Sequence, residues 1–299
     1  MKAFNRGRRL LALGALTTLA VAGAALSAEA GSKLQEHSKT AKVASSTSQA
    51  LRAKCGKDGL AASAGFAGRF DASLSPPAIH EALPVQQTIS GRTATARLAN
   101  VGQPAKVSGY AYCGGPSLTA VSRTATIDSE QPKSVTATCA GDRTAYSGGF
   151  KTAFEIVGED PTGAVAVGSY RSSRNAWKTT FISPGGDPTR ITSYVYCARA
   201  KALAVRSKSH SISLSLGGSE PAPINGIKRA DVIARCKRGE LPISGGFRPQ
   251  RVNPQSGPLA IGSRRASATA WTVRMAAMAS PDASENAKAK LTAFVYCSK

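Results

Sequence analysis

Histidine is scarce in this chain, and the short motifs that mark common enzyme families are missing from it. The 299 residues include three His, which are His37, His80 and His210, and none of them belongs to a pattern that recurs in the chain. Neither G-x-S-x-G, H-E-x-x-H nor a phosphate-binding glycine loop occurs. General acid–base and nucleophilic catalysis need such groups held together. The sequence therefore predicts a protein that is not an enzyme and uses no cofactor.

Acidic residues are also few. The chain has 17 Asp and Glu against 39 Lys and Arg, a formal charge of +22, and without residues 1–30 the charge would be +19. A surplus of this size concerns partners and solubility rather than fold. The expected partners are anionic polysaccharides, wall polymers or lipid headgroups, and nucleic acid is not expected as a physiological partner. The alternative is that the charge only keeps the protein soluble.

Long apolar runs are absent after residue 30, whereas the first 30 residues have the order of a secretory signal peptide. Four basic residues precede an apolar and small-residue run from 10 to 26, and Ala28-Glu29-Ala30 fits an A-x-A cleavage site. We expect export by the general secretory route, cleavage near Ala30, and no transmembrane segment in the mature chain. The predicted location is secreted or otherwise extracytoplasmic.

Several landmarks recur three times in one order, which indicates an internal triplication. In each copy a Cys is followed eleven positions later by a Phe that closes a small-residue tripeptide, and each copy ends on an aromatic residue, a small aliphatic residue, Tyr and Cys. A Ser-x-Arg pattern lies between these landmarks, with a large apolar residue eight positions after the Ser. We assign the Arg of this pattern to Arg92, Arg171 and Arg265, and the apolar residue to Leu98, Trp177 and Trp271.

Two Cys fall in each copy, and an even number of Cys in an exported chain predicts disulfides. Six Cys allow 15 pairings. The nearly equal separations within the copies, 58, 58 and 61 residues, predict the pairs Cys55–Cys113, Cys139–Cys197 and Cys236–Cys297. Metal binding is not expected, because no C-x-x-C spacing occurs and no His lies near a Cys.

Short β-branched or alternating segments, bounded by Gly, Pro, Asp and Asn, predict strands throughout the mature chain. The expected fold is all-β, with three small antiparallel β-sandwich-like units that each hold one disulfide. The alternative is one pseudo-threefold β body with a shared core. The predicted boundaries are 31–49 for a flexible polar lead-in and 50–115, 116–200 and 201–299 for the three repeats.

Aromatic residues that end each copy alternate along a strand. Tyr194 and Tyr196 therefore share one face, which is either covered by another sheet or exposed and able to stack against sugar rings. The repeated Arg residues, together with basic residues near them, are the candidate ligand-binding set. This set comprises Arg92, Arg171, Arg265, Arg174, Lys178, Arg264 and Arg274.

Guanidinium groups suit phosphate, sulfate and carboxylate, although each Arg could instead pair locally or cover apolar surface with its stem. The leading functional hypothesis is a secreted, non-catalytic protein that binds anionic polymers or glycans of the cell envelope or extracellular matrix. The alternative is a structural or interaction protein of the cell surface without a small ligand. A secreted hydrolase is the third possibility.

Overall fold

Every regular element in the described part of the chain is a β-strand, which confirms the all-β prediction. The structure is a computed structural model that describes residues 34–57, 59–69, 82–100, 104–157, 160–199, 203–214, 228–250, 257–278 and 287–298. The predicted signal peptide, residues 1–30, lies outside these ranges. The described residues contain no helix that is long and apolar enough to cross a bilayer.

The described residues form twenty strands, and their order follows the sequence repeats. The first repeat contributes β1 (Gln35–Val43), β2 (Thr47–Lys54), β3 (Ala61–Arg69), β4 (Ala82–Ser90), β5 (Thr93–Asn100) and β6 (Ala105–Cys113). The second contributes β7 (Thr119–Ile127), β8 (Lys133–Thr138), β9 (Thr144–Thr152), β10 (Phe154–Val157), β11 (Asp160–Gly163), β12 (Val165–Ser173), β13 (Ala176–Ile182) and β14 (Thr189–Ala198). The third contributes β15 (Ala204–Leu214), β16 (Lys228–Arg235), β17 (Leu241–Gln250), β18 (Gly257–Ser267), β19 (Ala270–Met278) and β20 (Ala287–Ser298).

Three six-stranded antiparallel sheets hold all of these strands except β10 and β11, which pair with each other. Sheet A has the order β1-β6-β3-β18-β19-β16, sheet B has β7-β14-β9-β4-β5-β2, and sheet C has β15-β20-β17-β12-β13-β8. Each sheet therefore joins three strands of one repeat to three strands of another. Three self-contained sandwiches stay a prediction that this strand order does not confirm, and the alternative of one β body agrees with it.

The hydrophobic core is also shared between repeats. Phe66, Phe150 and Phe247, which close the repeated tripeptides, are fully buried in one cluster. The ring centroid of Phe66 lies 6.4 Å from that of Phe150 and 6.2 Å from that of Phe247, and both pairs meet edge to face, which is a favourable arrangement for aromatic rings. Each third strand thus delivers one Phe to a common centre.

Serine side chains tie the same third strands together. Ser63 Oγ donates a hydrogen bond of 2.7 Å to the carbonyl of Ile243, and Ser244 Oγ donates one of 2.8 Å to the carbonyl of Tyr146. Both serines are buried and stand directly before the repeated tripeptide. Buried hydroxyls need such partners, so the recurring Ser is explained by contacts between repeats.

All three disulfides join the predicted partners. The bridges are Cys55–Cys113, Cys139–Cys197 and Cys236–Cys297. Each connects the segment before the third strand of a repeat to the last strand of the same repeat, and the α-carbons lie 5.7 to 5.9 Å apart. These bridges are consistent with a location outside the reducing cytosol.

The segment 31–49, expected to be a flexible lead-in, contains strand β1. Residues 35–43 pair along their whole length with β6 at the edge of sheet A. Most of these residues are exposed, and the last of them, Val43, is buried. The segment looked unstructured because an exposed edge strand is held by backbone hydrogen bonds and needs no alternating apolar residues.

Candidate functional site

The seven basic residues predicted to bind a ligand lie on three different sheets. Arg171 and Lys178 belong to sheet C, with Arg174 in the turn between their strands, and Arg92 follows β4 of sheet B. Arg264, Arg265 and Arg274 belong to sheet A. A ligand role for these residues therefore has to be considered sheet by sheet.

Arg92 was assigned to the wrong position of the repeat. The backbone N–H groups of Arg171 and Arg265 donate to the hydroxyls of Tyr296 and Tyr112, each over 2.7 Å. In the first repeat the equivalent bond, of 2.6 Å, runs from the N–H of Ile89 to the hydroxyl of Tyr196. Ile89, and not Arg92, therefore corresponds to Arg171 and Arg265.

The length of one hairpin explains this error. Strands β12 and β18 each have an irregularity directly after the Arg, between Arg171 and Ser173 and between Arg265 and Ser267, whereas β4 has none at this place. The hairpin of the first repeat is consequently one residue shorter. Counting eight positions from Ser90 reaches Leu98, but the residue that corresponds to Trp177 and Trp271 is Ala94.

Arg171 and Arg265 are half-buried and are bonded to the protein itself. Arg171 Nη2 donates a 2.7 Å hydrogen bond to the carbonyl of Leu203, and its guanidinium carbon lies 4.9 Å from the ring centroid of Tyr296. Arg265 donates to the carbonyl of Leu34 over 3.2 Å. Burial lowers the pKa of both guanidinium groups. Both side chains serve to close the contact between neighbouring repeats.

Arg274 has an acidic partner. Its Nε and Nη2 donate to the two carboxylate oxygens of Asp231, each over 2.8 Å. These hydrogen bonds lower the pKa of Asp231. Arg92 donates from Nη2 to the carbonyl of Gly56. The carboxylate of Asp231 already occupies the bidentate geometry of Arg274 that an anion would need, whereas the bond to Gly56 engages one nitrogen of Arg92.

A pair of surface aromatic rings lies on the outer face of sheet C. Phe294 pairs with Gly246 across β20 and β17. Ser169 pairs with Phe247 across β12 and β17, so Tyr170 lies beside Gly246 on the other side. The rings of Tyr170 and Phe294 stack over the glycine, with centroids 5.6 Å apart and planes 19° from parallel. Both side chains are half-exposed.

Gly246 is required for this arrangement. A Cβ at this position would lie 2.6 Å from the carbonyl oxygen of Ser169 and 3.0 Å from the α-carbon of Tyr170. Only the absence of a side chain lets β12 approach β17 this closely. The second glycine of the tripeptide therefore has a specific role at this surface.

Two cations flank the ring pair. The guanidinium carbon of Arg248 lies 5.5 Å from the centroid of Tyr170 and 5.6 Å from that of Phe294, within the range of cation–π attraction. Lys178 pairs with Tyr170 across β12 and β13. Arg248 is exposed and Lys178 half-exposed, and neither has an acidic partner among the described residues. We call Tyr170, Lys178, Arg248 and Phe294 the aromatic platform.

The other two sheets carry reduced versions of the platform. On sheet A, Tyr110 and Arg264 lie on either side of Gly65, and Ala67 takes the place of Arg248. On sheet B, Tyr194 pairs with Gly149. Lys151 there takes the place of Arg248, and Thr88 that of Tyr170. Sheet C therefore combines two rings and two cations at a position where sheets A and B have fewer.

The second aromatic residue of each repeat end is buried. Tyr112, Tyr196 and Tyr296 are almost inaccessible, and burial raises the pKa of all three hydroxyls. Each hydroxyl accepts the backbone hydrogen bond described above. The prediction that both tyrosines of this segment share one face is consistent with their rings, since those of Tyr194 and Tyr196 are 7° from parallel. One ring of each pair lies at the surface, whereas the other fills the core.

Tyr170 and Arg248 were missed as candidates in the sequence, although a signal for Arg248 was present. Phe294 belongs to the aromatic face at the repeat ends that we expected to be either covered or able to stack against sugar rings. Arg248 directly follows the glycine–glycine–phenylalanine tripeptide, as Lys151 does in the second repeat. Strand alternation places this residue on the same face as the second glycine. The neighbouring ring of Tyr170 belongs to another repeat, and its position depends on the pairing of β12 with β17.

One group of potential metal ligands occurs among the described residues, formed by Cys236, Glu240 and Cys297. The two sulfur atoms are bonded to each other, and Glu240 accepts hydrogen bonds from Arg206 and from the N–H of Lys237. A disulfide offers no thiolate to a metal. This group is therefore explained by the fold.

Comparison with known proteins adds no assignment: no family model matches the chain, and no curated protein matches it significantly.

Proposed function

We propose that this protein is a secreted, non-catalytic binding protein that recognises anionic polysaccharide through the aromatic platform of sheet C. The observation that supports this proposal most directly is the stacked pair Tyr170 and Phe294, half-exposed and flanked by Arg248 and Lys178. Residues 1–30 would direct export, and the three disulfides would form outside the cytoplasm.

The chemistry of the platform matches an acidic sugar. A flat apolar ring surface suits the C–H face of a pyranose, because burying that face removes apolar area from water on both sides. An exposed guanidinium beside the rings can donate two parallel hydrogen bonds to a carboxylate or sulfate. The ring pair would supply the stacking contact, and Arg248 and Lys178 would select for negative charge.

The wider surface favours a polymer over a single sugar. The chain has a formal charge of +22, and reduced platforms lie on the other two sheets, with Arg264 beside Tyr110 and Lys151 near Tyr194. Weak contacts at several places on one repeating ligand add up to a useful affinity. The general charge would attract the polymer, and the platform would discriminate between sugars.

The test is an affinity measurement with size-matched polysaccharides. We expect alginate, which carries a carboxylate on every sugar, to bind in isothermal titration calorimetry, and uncharged dextran not to bind. The affinity for alginate should fall steeply between about 50 and 300 mM NaCl, because the Debye length that screens exposed charges shortens from about 14 Å to about 6 Å over this range.

Single substitutions distinguish binding at the aromatic platform from attraction by the overall positive charge. Arg248→Ala and Tyr170→Ala should each weaken alginate binding about tenfold, which corresponds to about 1.4 kcal/mol. Arg123→Ala removes the same charge from an exposed residue of β7 on sheet B and should change the affinity less than twofold. Tyr170→Phe keeps the ring and should bind like the original protein.

The opposite pattern would reject the proposal. Equal losses for Arg248→Ala and Arg123→Ala would mean that binding depends on net charge alone. No binding of either polysaccharide would favour a structural or interaction protein whose charge only serves solubility. Tighter binding of single-stranded DNA than of alginate at the same salt concentration would assign the platform to base stacking.

A further inference from the structure

A cavity of about 210 Å³ lies beside the turn between β4 and β5 in the first repeat. Its walls include Ile89, Gly91, Leu118 and Tyr196, and none of its described lining residues is charged. An apolar cavity of roughly 150 Å³ is large enough to bind benzene. The cavity can therefore take a small ligand.

The second and third repeats fill the equivalent place with their own arginine. Leu118 precedes the first strand of its repeat, as Leu203 and Leu34 do in theirs. Arg171 reaches the carbonyl of Leu203 over 2.7 Å, and Arg265 reaches that of Leu34 over 3.2 Å. In the first repeat the corresponding residue is Ile89, whose side chain has no hydrogen-bond donor to offer the carbonyl of Leu118.

The surroundings that hold an arginine are kept in the first repeat. The hydroxyl of Tyr196 accepts the N–H of Ile89 over 2.6 Å, as the hydroxyl of Tyr296 accepts that of Arg171 over 2.7 Å. The guanidinium of Arg171 lies 4.9 Å from the Tyr296 ring centroid, and the corresponding ring, Tyr196, lines the cavity. The acceptor and the ring are present, whereas none of the described lining residues supplies a cation.

We propose that this cavity binds the guanidinium group of a small molecule, in the place that Arg171 and Arg265 fill in the other repeats. The guanidinium would donate to the carbonyl of Leu118 and lie against the ring of Tyr196. Guanidinium is more weakly hydrated than ammonium and its planar donors suit carbonyl oxygens. The site differs from the aromatic platform in location, between the first and second repeats, and in the sign of the charge that it takes.

The salt dependence of the affinity distinguishes this site from the aromatic platform. The protein carries a large positive charge, which repels a cation, and added salt screens that repulsion. The affinity for a guanidinium compound should therefore rise or stay constant as NaCl increases, whereas alginate binding should weaken. A guanidinium affinity that falls with salt as alginate affinity does would contradict the assignment.

Titration of the full exported protein with methylguanidinium, followed by amide NMR, tests the proposal. We expect saturable shifts at the amide of Ile89 and around Leu118 and Tyr196, with a dissociation constant on the order of 1 to 10 mM, because so few atoms make contact. Methylurea has a similar shape without the charge and should bind at least fivefold more weakly. Equal binding of methylurea, or shifts that map elsewhere, would overturn the proposal.

A filled cavity provides the second test. Ile89→Arg places an arginine where the other repeats have one and should abolish the methylguanidinium shifts. Thr88→Arg adds the same charge at the neighbouring residue, which lies on the opposite face of β4, and should leave them in place. Unchanged binding in Ile89→Arg would overturn the proposal, and if that variant does not fold, the shift map of the unmodified protein decides the question.

Discussion

The first repeat and the other two repeats fill the equivalent part of the core with different residues. In the second repeat Trp177 packs over Gly148, and a Cβ on that glycine would lie 2.1 Å from the indole ring. In the third, Trp271 packs over Gly245 with the same separation of 2.1 Å. The first repeat has Ala64 and Ala94 at these positions, and both are buried in one cluster.

This difference indicates that the residue at the tryptophan position and the residue at the facing glycine position depend on each other. A tryptophan requires a glycine opposite to it, whereas two alanines share the space more evenly. The indole N–H groups of Trp177 and Trp271 donate to Ser169 and Ser263 over 2.8 and 3.0 Å. In the first repeat Gln87 stands at that position. The repeat without Trp is also the repeat without the half-buried Arg, and the cavity lies where it meets the second repeat.

The largest effect should come from breaking the contact between glycine and tryptophan. Gly245→Ala should lower the free energy of unfolding by about 3 kcal/mol or more, because the new methyl group overlaps the indole and the core cannot yield. Trp271→Ala should cost about 3 to 5 kcal/mol through the lost burial and the cavity left behind. Chemical denaturation of both variants measures these values.

The double variant sharpens this comparison. Gly245→Ala with Trp271→Ala reproduces the alanine pair of the first repeat, so its cost should be smaller than the sum of the two single costs. Ala64→Gly in the first repeat serves as the matched control and should cost only about 1 kcal/mol. Additive costs in the double variant would show that the two positions are not coupled.

An intermediate effect is expected from the buried tyrosine hydroxyls, which all three repeats share. Tyr112→Phe, Tyr196→Phe and Tyr296→Phe each leave one backbone N–H without its acceptor and should each cost about 1 to 2 kcal/mol. Similar costs are expected because the three hydrogen bonds measure 2.6 to 2.7 Å. A negligible cost in one repeat would mean that its N–H finds another partner.

These three hydroxyls, together with that of Tyr146, predict how stability depends on pH. Burial raises the pKa of Tyr112, Tyr146, Tyr196 and Tyr296 above the ordinary value, so the folded protein holds these protons more firmly than the unfolded chain does. The resulting stabilisation is complete below about pH 10 and is lost as the pH rises further. Unfolding curves between pH 8 and 12, and tyrosinate absorbance, should show this loss, and Tyr196→Phe should reduce its slope.

The smallest effect on stability should come from giving the second repeat the isoleucine that the first repeat has in place of Arg171. Arg171→Ile removes one hydrogen bond and one cation–π contact from a half-exposed side chain and should cost about 0.5 to 1 kcal/mol. The variant should also gain a second methylguanidinium site near Leu203 and Tyr296, visible as new amide shifts. Stability loss without new binding would mean that the hairpin irregularity after Arg171 closes the space.

The disulfides and the strand content were predictable because both depend on features within one repeat. Equal spacing between Cys55 and Cys113 and between Cys139 and Cys197 was enough to choose among the possible pairings. Strand β19 shows the limit of local patterns, since its alanine-rich end near Met275 also has helical character and is held as a strand by pairing with β16 and β18.

The sheet order and the platform could not be predicted, because both depend on contacts between repeats. Alternation shows which residues share a face, but it does not show that β12 pairs with β17, and this pairing brings Tyr170 beside Phe294. The position of Arg92 was misjudged because a hairpin shorter by one residue changes the register without removing the pattern. Differences between repeats were therefore less visible in the sequence than their similarities.

The central claim, that anionic polysaccharide is recognised at the aromatic platform, is tested most directly by locating the bound sugar. Saturation-transfer and amide-shift NMR with an alginate oligosaccharide should show contacts to the rings of Tyr170 and Phe294 and to Arg248, and an uncharged glucan oligomer of equal length should show none. Shifts spread evenly over the basic residues of all three sheets, with no contact to the two rings, would contradict the claim.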